Sequence, residues 1–324
     1  MQVVHKSFII WFKVFCVNLK SFLSIPLAIF LLCSSTFTAA ATSDITNPET
    51  EAEIRAYLES SPSATTTNEY DILKEQQDSA HAVLDSRTAS EQEVEDAKEI
   101  LSFDPVKHFY DLQDKGEAYL EEQGYPADQI EAIMEFDGSE DAIYRASASL
   151  TADLLILNRD KHSDGKRMLE AKYIFSWSGI PSMRSTDSVA LAASNFFYTD
   201  SSGASVVYYA ADSGSERLTE HPTVKKLPKC ESRAAGIDLS MQKISNRTYY
   251  HPVSGYVSAE FNSLDFRQTN IGGTYAHAIF KVSASPSASL TLGTSGTGAS
   301  VSVRFDLSGD FKEMGFEDLV VDIP

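Results

Sequence analysis

The sequence predicts an α+β protein in which an acidic helical region precedes an antiparallel β-sandwich, and three observations carry that expectation. Acidic charge is concentrated early: residues 42–150 hold 27 Asp and Glu against 7 Lys and Arg, whereas residues 151–324 hold 19 against 17. Within the acidic part, apolar residues recur at three-and-four spacing, as on a helix with one buried stripe. From Lys172 onward the pattern changes to short runs of β-branched and aromatic residues separated by Gly, Ser, Asp and Pro, as expected of antiparallel strands.

At the amino terminus, Lys6, Lys13 and Lys20 precede the apolar run from Phe22 to Leu32, and Ala39, Ala40 and Ala41 follow. That order of charged, apolar and small residues predicts a signal peptide over 1–41 and a secreted protein. The two apolar runs together approach the ~20 residues of a spanning helix, but Lys13 and Lys20 interrupt them. Residues 42–70, rich in Thr, Ser, Asn and Glu, are expected to be a disordered acidic tether.

Residues 71–160 are expected to be the helical region. Thr88 with Glu91 predicts a capping box, Asp104 before Pro105 opens a helix that Gly124 can end, Pro126 begins a short one, and Ser139 opens another. Val106, Phe109 and Leu112, then Ile130, Ile133 and Met134, form the apolar stripes. No dibasic site stands between 150 and 160, so a permanent subdomain is favoured over a removable propeptide. Residues 161–171 are expected to be a linker. There Asp160, His162, Asp164 and Gly165 imitate the opening of a calcium loop, but Ala171 stands where the closing bidentate carboxylate belongs. No metal and no cofactor is expected.

The sandwich is expected over 172–324, from seven or more strands without intervening helices. Catalytic motifs are missing from it: there is no HExxH, no P-loop and no dinucleotide-binding glycine pattern, and GTSGTG lacks the P-loop lysine. Cys230, the one thiol past the leader, sits among Lys225, Lys226, Lys229 and Arg233, which favour a thiolate. No His and carboxylate are tied to it in sequence, so a leftover thiol, buried or available for an intermolecular bridge, is the simpler reading. The acidic balance argues against nucleic acid as a partner, because phosphate binding needs clustered Lys and Arg.

Aromatic residues concentrate in the β-region, and neighbours in a strand point to opposite faces, so one of each adjacent pair must face outward. Trp177, Tyr198, Tyr209 and Tyr250 are the candidate ligand-binding residues, for a glycan or cell-surface ligand.

Two resemblances follow. GYPADQIEAIMEFDGSEDAIYRASA, followed by FSWSGIPSMRSTDSVALAASNFF, loosely resembles the layout of uncharacterised secreted proteins of Gram-positive bacteria, with Trp177, Pro181 and Asp187 near the start of the β-domain; this implies no activity. In KVSASPSASLTLGTSGTGASVSVRF, Val282, Ala284, Leu290 and Leu292 alternate with Ser and Thr, and Val301 and Val303 continue the phase beyond a glycine turn. This pattern resembles the inserting hairpins of β-pore-forming toxins, whose lipid-facing and pore-facing rows alternate. Any half-buried antiparallel pair alternates in the same way, and Pro286 on the apolar row suits an edge or bulge. The leading expectation is a secreted, non-enzymatic binding or interaction protein. A pore-forming protein inserting 281–305 and an enzyme without a recognisable motif are the alternatives.

Overall fold

The computed structural model describes residues 46–210, 216–228, 230–245, 248–278, 290–295, 302–307 and 311–324. The expected signal peptide lies outside them. From Asn47 onward the chain forms one unit, an α+β fold with an amino-terminal helical part and antiparallel sheets.

The segment expected to be a tether is instead built into the fold. Helix α1 (Glu51–Ser60) starts at a capping box formed by Thr50 and Glu53, and β1 (Thr65–Asn68) pairs with the strand that follows the helical region. The polar composition misleads here because Ile54 and Leu58, two apolar residues one turn apart, are enough to bury α1 against Leu155 and Ile174. Upstream, the buried Lys172 ammonium donates to Asn47 and to the Pro48 carbonyl at 3.1 Å and lies 4.0 Å from the Tyr256 ring centroid. Burial pulls its pKa below the usual lysine value.

Helices α2 (Glu69–Asp85) and α3 (Glu91–Ser102) follow; the cap of α3 is Ser90 with Glu93, two residues beyond the expected Thr88 with Glu91. Helix α4 (Pro105–Lys115) begins at Asp104 and Pro105 as expected, but Gly116, at φ 82°, separates it from α5 (Glu117–Glu122). Helix α6 (Ala127–Met134) starts after Pro126, and α7 (Glu140–Ala146) is capped by Ser139. Phe109, Leu112, Leu120, Ile130, Ile133, Phe136 and Ile143 form their common core. Buried Gln129 ties α6 to the β-region: its amide donates to the Ala146 and Ile180 carbonyls at 2.9 and 3.0 Å and accepts from the Ile180 N–H at 2.8 Å.

The helical region ends earlier than expected. Strand β2 (Ser149–Lys161) and β3 (Arg167–Trp177) form a hairpin across what the sequence suggested was a helix end and a linker. Residues 152–155 are all buried, because α1 covers one face of the sheet and the second sheet covers the other, so the two-residue alternation of a strand is absent. The calcium-like SDG segment is the hairpin turn: Gly165 adopts φ 88°, and the Asp164 carboxylate accepts from the Lys166 N–H at 3.0 Å.

The remaining strands are β4 (Thr186–Ala193), β5 (Phe197–Ala210), β6 (Arg217–Glu220), β7 (Lys225–Lys226), β8 (Ala234–Ser240), β9 (Lys243–Ser245), β10 (Thr248–Ser263), β11 (Gln268–Ala278), β12 (Leu290–Ser295), β13 (Ser302–Leu307) and β14 (Phe311–Asp322). One sheet has the order β1-β2-β3-β10-β5-β6, with β9 beside β10; a second has the order β14-β11-β4-β8-β7; β12 and β13 form a separate ribbon. Tyr173, Phe175, Trp177, Leu191, Tyr208, Phe261 and Tyr275 fill the core of the β-region. At Gly273 an added Cβ would lie 2.2 Å from the Tyr173 ring, which is pinned by a 2.8 Å bond from its hydroxyl to the Gly315 carbonyl. Gly273→Ala is therefore expected to lower unfolding free energy by about 1–3 kcal/mol, as overpacking does, measured by urea titration.

Candidate functional site

The carboxy-terminal strands are nested. β11 pairs with β14 from Gln268 opposite Asp322 to Ala278 opposite Phe311, and β12 pairs with β13 from Leu290 opposite Leu307 to Ser295 opposite Ser302. β11 and β14 belong to the five-stranded sheet, and the β12–β13 ribbon belongs to neither large sheet; residues 279–289, 296–301 and 308–310 between these strands lie outside the described residues. Val282, Ala284, Pro286 and Val301 lie outside the described residues. For the rest of the expected hairpin, the register aligns the apolar rows: Leu290 faces Leu307 across the ribbon, Leu292 faces Phe305, and Val303 stands opposite Thr294. Directly opposed residues share a face. The other row pairs Thr291 with Asp306, Gly293 with Arg304 and Ser295 with Ser302.

Three buried charged residues meet near the end of β11. His277, the penultimate residue of β11, is fully buried, and its Nδ1 lies 2.9 Å from Asp187 Oδ2 on β4. Its Nε2 is 3.5 Å from Glu69 Oε1 at the start of α2, an ion-pair contact without hydrogen-bond geometry. Asp187 also accepts from the Tyr275 hydroxyl at 2.8 Å and the Ala278 N–H at 2.9 Å. Glu69 accepts from the Ser182 and Met183 N–H groups at 2.8 and 2.9 Å. Burial acts most strongly on the His277 imidazole and disfavours its charge, but Asp187 and Glu69 together outweigh it and hold the pKa up at about 10. For Glu69 burial is again the largest influence and raises the pKa, while His277 and the two N–H groups bring the net shift below the usual carboxylate value. The cluster is an imidazolium between two carboxylates, without access for substrate. Neither Asp187 nor His277 was singled out as functional by sequence patterning; the available signal was a charged residue within an otherwise apolar strand.

The four nominated aromatics separate. Tyr209 lines a cleft of about 820 Å3 between α5, α6 and the strand ends, together with Arg55, Tyr125 and His251; Trp177 borders it, but its side chain is 1% exposed and its indole N–H donates to the Tyr275 hydroxyl at 3.1 Å in the core, so it offers no stacking face. The Tyr209 hydroxyl donates to Glu51 at 2.6 Å and accepts from Arg217 at 2.6 Å. Burial holds the His251 pKa down at about 4, and its neutral ring faces the Gln123 carbonyl at 3.1 Å. Tyr198 lines a different groove, of about 490 Å3, with His221 and Tyr256. Tyr250 faces the core, its hydroxyl bonded to Glu216 at 2.8 Å. In these two pairs the strand phase exposes the neighbour: Phe197 is 51% exposed and Tyr249 39%. Cys230 is buried among Ala190, Ala192, Leu227 and Ala234. Among the described residues no helix is long and apolar enough to cross a membrane.

No protein family matches the sequence, and no curated protein matches it. Among solved structures, Clostridium perfringens delta-toxin is similar at 8% identity and a TM-score of 0.24, covering 55% of this chain and 86% of the toxin. A second structure, described as a pore forming protein, is similar at 10% identity and a TM-score of 0.24, covering 54% of this chain and 85% of that one. These are loose structural likenesses to pore-forming proteins, and no family membership follows from them.

Proposed function

We propose that the chain acts on membranes outside the cell, with the β12–β13 ribbon and its flanks as the inserting element. The observation that carries this reading is the ribbon's pairing: it lies outside both large sheets, and its register aligns apolar rows opposite one another. A lipid-spanning strand needs about 9–11 residues, within reach of the alternating arms at 282–292 and 299–307. One hairpin in hydrocarbon leaves two edges of unpaired backbone, so several copies must close a barrel. Dye release from vesicles tests the reading: release accompanied by a ring-sized oligomer supports it, and intact vesicles at every protein concentration overturn it.

A second reading, an extracellular binding module, is favoured by the cleft lined by the partly exposed Tyr209. A neutral saccharide suits it, because aromatic rings stack on sugars and Glu121, Glu122 and Asp128 at its rim offer acceptors to hydroxyls. Tyr209→Ala is expected to weaken saccharide binding at least tenfold on a glycan array followed by titration; unchanged binding, or no saccharide bound, removes this reading.

A further inference from the structure

The cleft beside Tyr209 does not end at Arg55. A second hollow of about 300 Å3 lies beyond that residue, between α1 and the first strands, and Arg55, Trp177 and Ser178 border both spaces. Hollows that share these walls are one continuous groove. The cleft alone matches the ~300–1,000 Å3 of a site for a compact small molecule, whereas the two volumes together exceed that range, so the groove suits an elongated ligand. Its lining is polar. The Arg55 Nε–H donates to Glu51 at 3.0 Å, and no other partner engages the guanidinium among the described residues, so its Nη–H donors remain available at the junction. In the second hollow the Thr66 and Thr151 hydroxyls, opposed across β1 and β2, share a single 2.9 Å bond that uses one of their two hydrogens. Ser178 Oγ accepts from the Ser149 N–H at 2.9 Å and keeps its own hydrogen to donate.

We propose that the two hollows form one extended groove for a neutral oligosaccharide longer than a disaccharide, with Arg55 as the donor at its middle. This rests on the binding reading above. The half-buried Tyr209 ring stacks on a sugar in the larger cleft, the Arg55 fork donates to adjacent hydroxyls of the next, and Thr66, Thr151 and Glu59 meet the hydroxyls of the one beyond. Arg55 is prepared for this role: Glu51, which holds it, is itself held by the Tyr209 hydroxyl at 2.6 Å and by Arg217 at 3.4 Å, so less side-chain freedom is lost on binding. The charges favour a neutral chain. Glu51 already pairs with Arg55, and Glu59, Glu121, Glu122 and Asp128 border the groove, so an anionic ligand meets like charge. An extended peptide would seek an unpaired strand edge or apolar pockets, whereas the second hollow opens on paired strands and offers hydroxyls.

The test titrates the full chain calorimetrically with oligomers of glucose, N-acetylglucosamine and mannose, from one unit to six, and with oligogalacturonate as the anionic counterpart. For the sugar that binds, affinity is expected to rise at least tenfold from disaccharide to tetrasaccharide and then to level off. Replacing both hydroxyls, Thr66→Val with Thr151→Val, is expected to remove that gain and leave the disaccharide within twofold of the wild type. Arg55→Ala is expected to weaken the tetrasaccharide at least tenfold, with an unfolding midpoint close to that of the wild type. Affinity that is independent of length, or a gain that survives the paired threonine substitutions, overturns the extended groove; the binding reading still stands if Tyr209→Ala abolishes binding of the short oligomers. Tighter binding of oligogalacturonate than of every neutral chain overturns the neutral ligand. No binding at any length removes the groove and the binding reading together.

Discussion

His277→Gln is expected to lower the unfolding free energy by about 3–5 kcal/mol, the usual penalty for removing one partner from a buried charge cluster. The glutamine preserves volume and a donor but leaves Glu69 and Asp187 as two buried carboxylates with no cation between them. The loss also has a pH signature. Because the folded pKa of His277 is raised from 6.5 to about 10, its stabilising contribution is full below about pH 6.5 and is lost as pH rises through about 10. Glu69 works in the opposite direction: its folded pKa is lowered, so its contribution is present above its ordinary value of 4.5 and is lost as pH falls through the folded pKa. Urea midpoints of the wild type should therefore decline between pH 7 and 10, and the midpoints of His277→Gln should be flatter over that window. Parallel curves for the two proteins would show that His277 is neutral when folded.

The same three residues show where sequence patterning stops. Two helix starts were legible from adjacent residues: Asp104 with Pro105 and Ser139 open α4 and α7 as their local chemistry dictates, whereas the box expected at Thr88 and Glu91 forms at Ser90 and Glu93 and the one at Thr50 and Glu53 was missed. The hairpin alternation was legible because it is a local property, and β12 pairs with β13 in a register that sets Leu290 opposite Leu307 and Leu292 opposite Phe305. By contrast, β2 was unreadable as a strand, since coverage of both faces by α1 and the second sheet removes the alternation that marks one. Asp187 and His277 are joined across β4 and β11, and Glu69 arrives from α2, a convergence that only the folded topology creates. Among the aromatics, patterning predicted that one of each adjacent pair faces outward. Which one depends on strand phase, and Tyr250 and Tyr198 fall on the inward side while Tyr249 and Phe197 do not.

Leu292→Arg is expected to abolish vesicle permeabilisation while leaving the soluble fold intact, and Thr291→Arg is expected to retain it. The two positions are adjacent in β12, and their cross-strand partners are Phe305 and Asp306 respectively. In a spanning ribbon, successive residues face lipid and lumen alternately, so an arginine at Leu292 meets hydrocarbon and one at Thr291 meets water. Arginine on the lipid face near the bilayer centre costs about 2–4 kcal/mol per strand, and the cost recurs in every copy of a closed barrel. An assembly of several subunits cannot absorb that sum, whereas the lumen substitution adds positive charge to the channel and should shift its preference toward anions, measured as a reversal potential in planar bilayers. Unfolding midpoints of both variants should match the wild type, because β12 and β13 lie outside both large sheets. Loss of activity at both positions equally, or at Thr291 alone, would reverse or remove the phase and with it the ribbon as the inserting element.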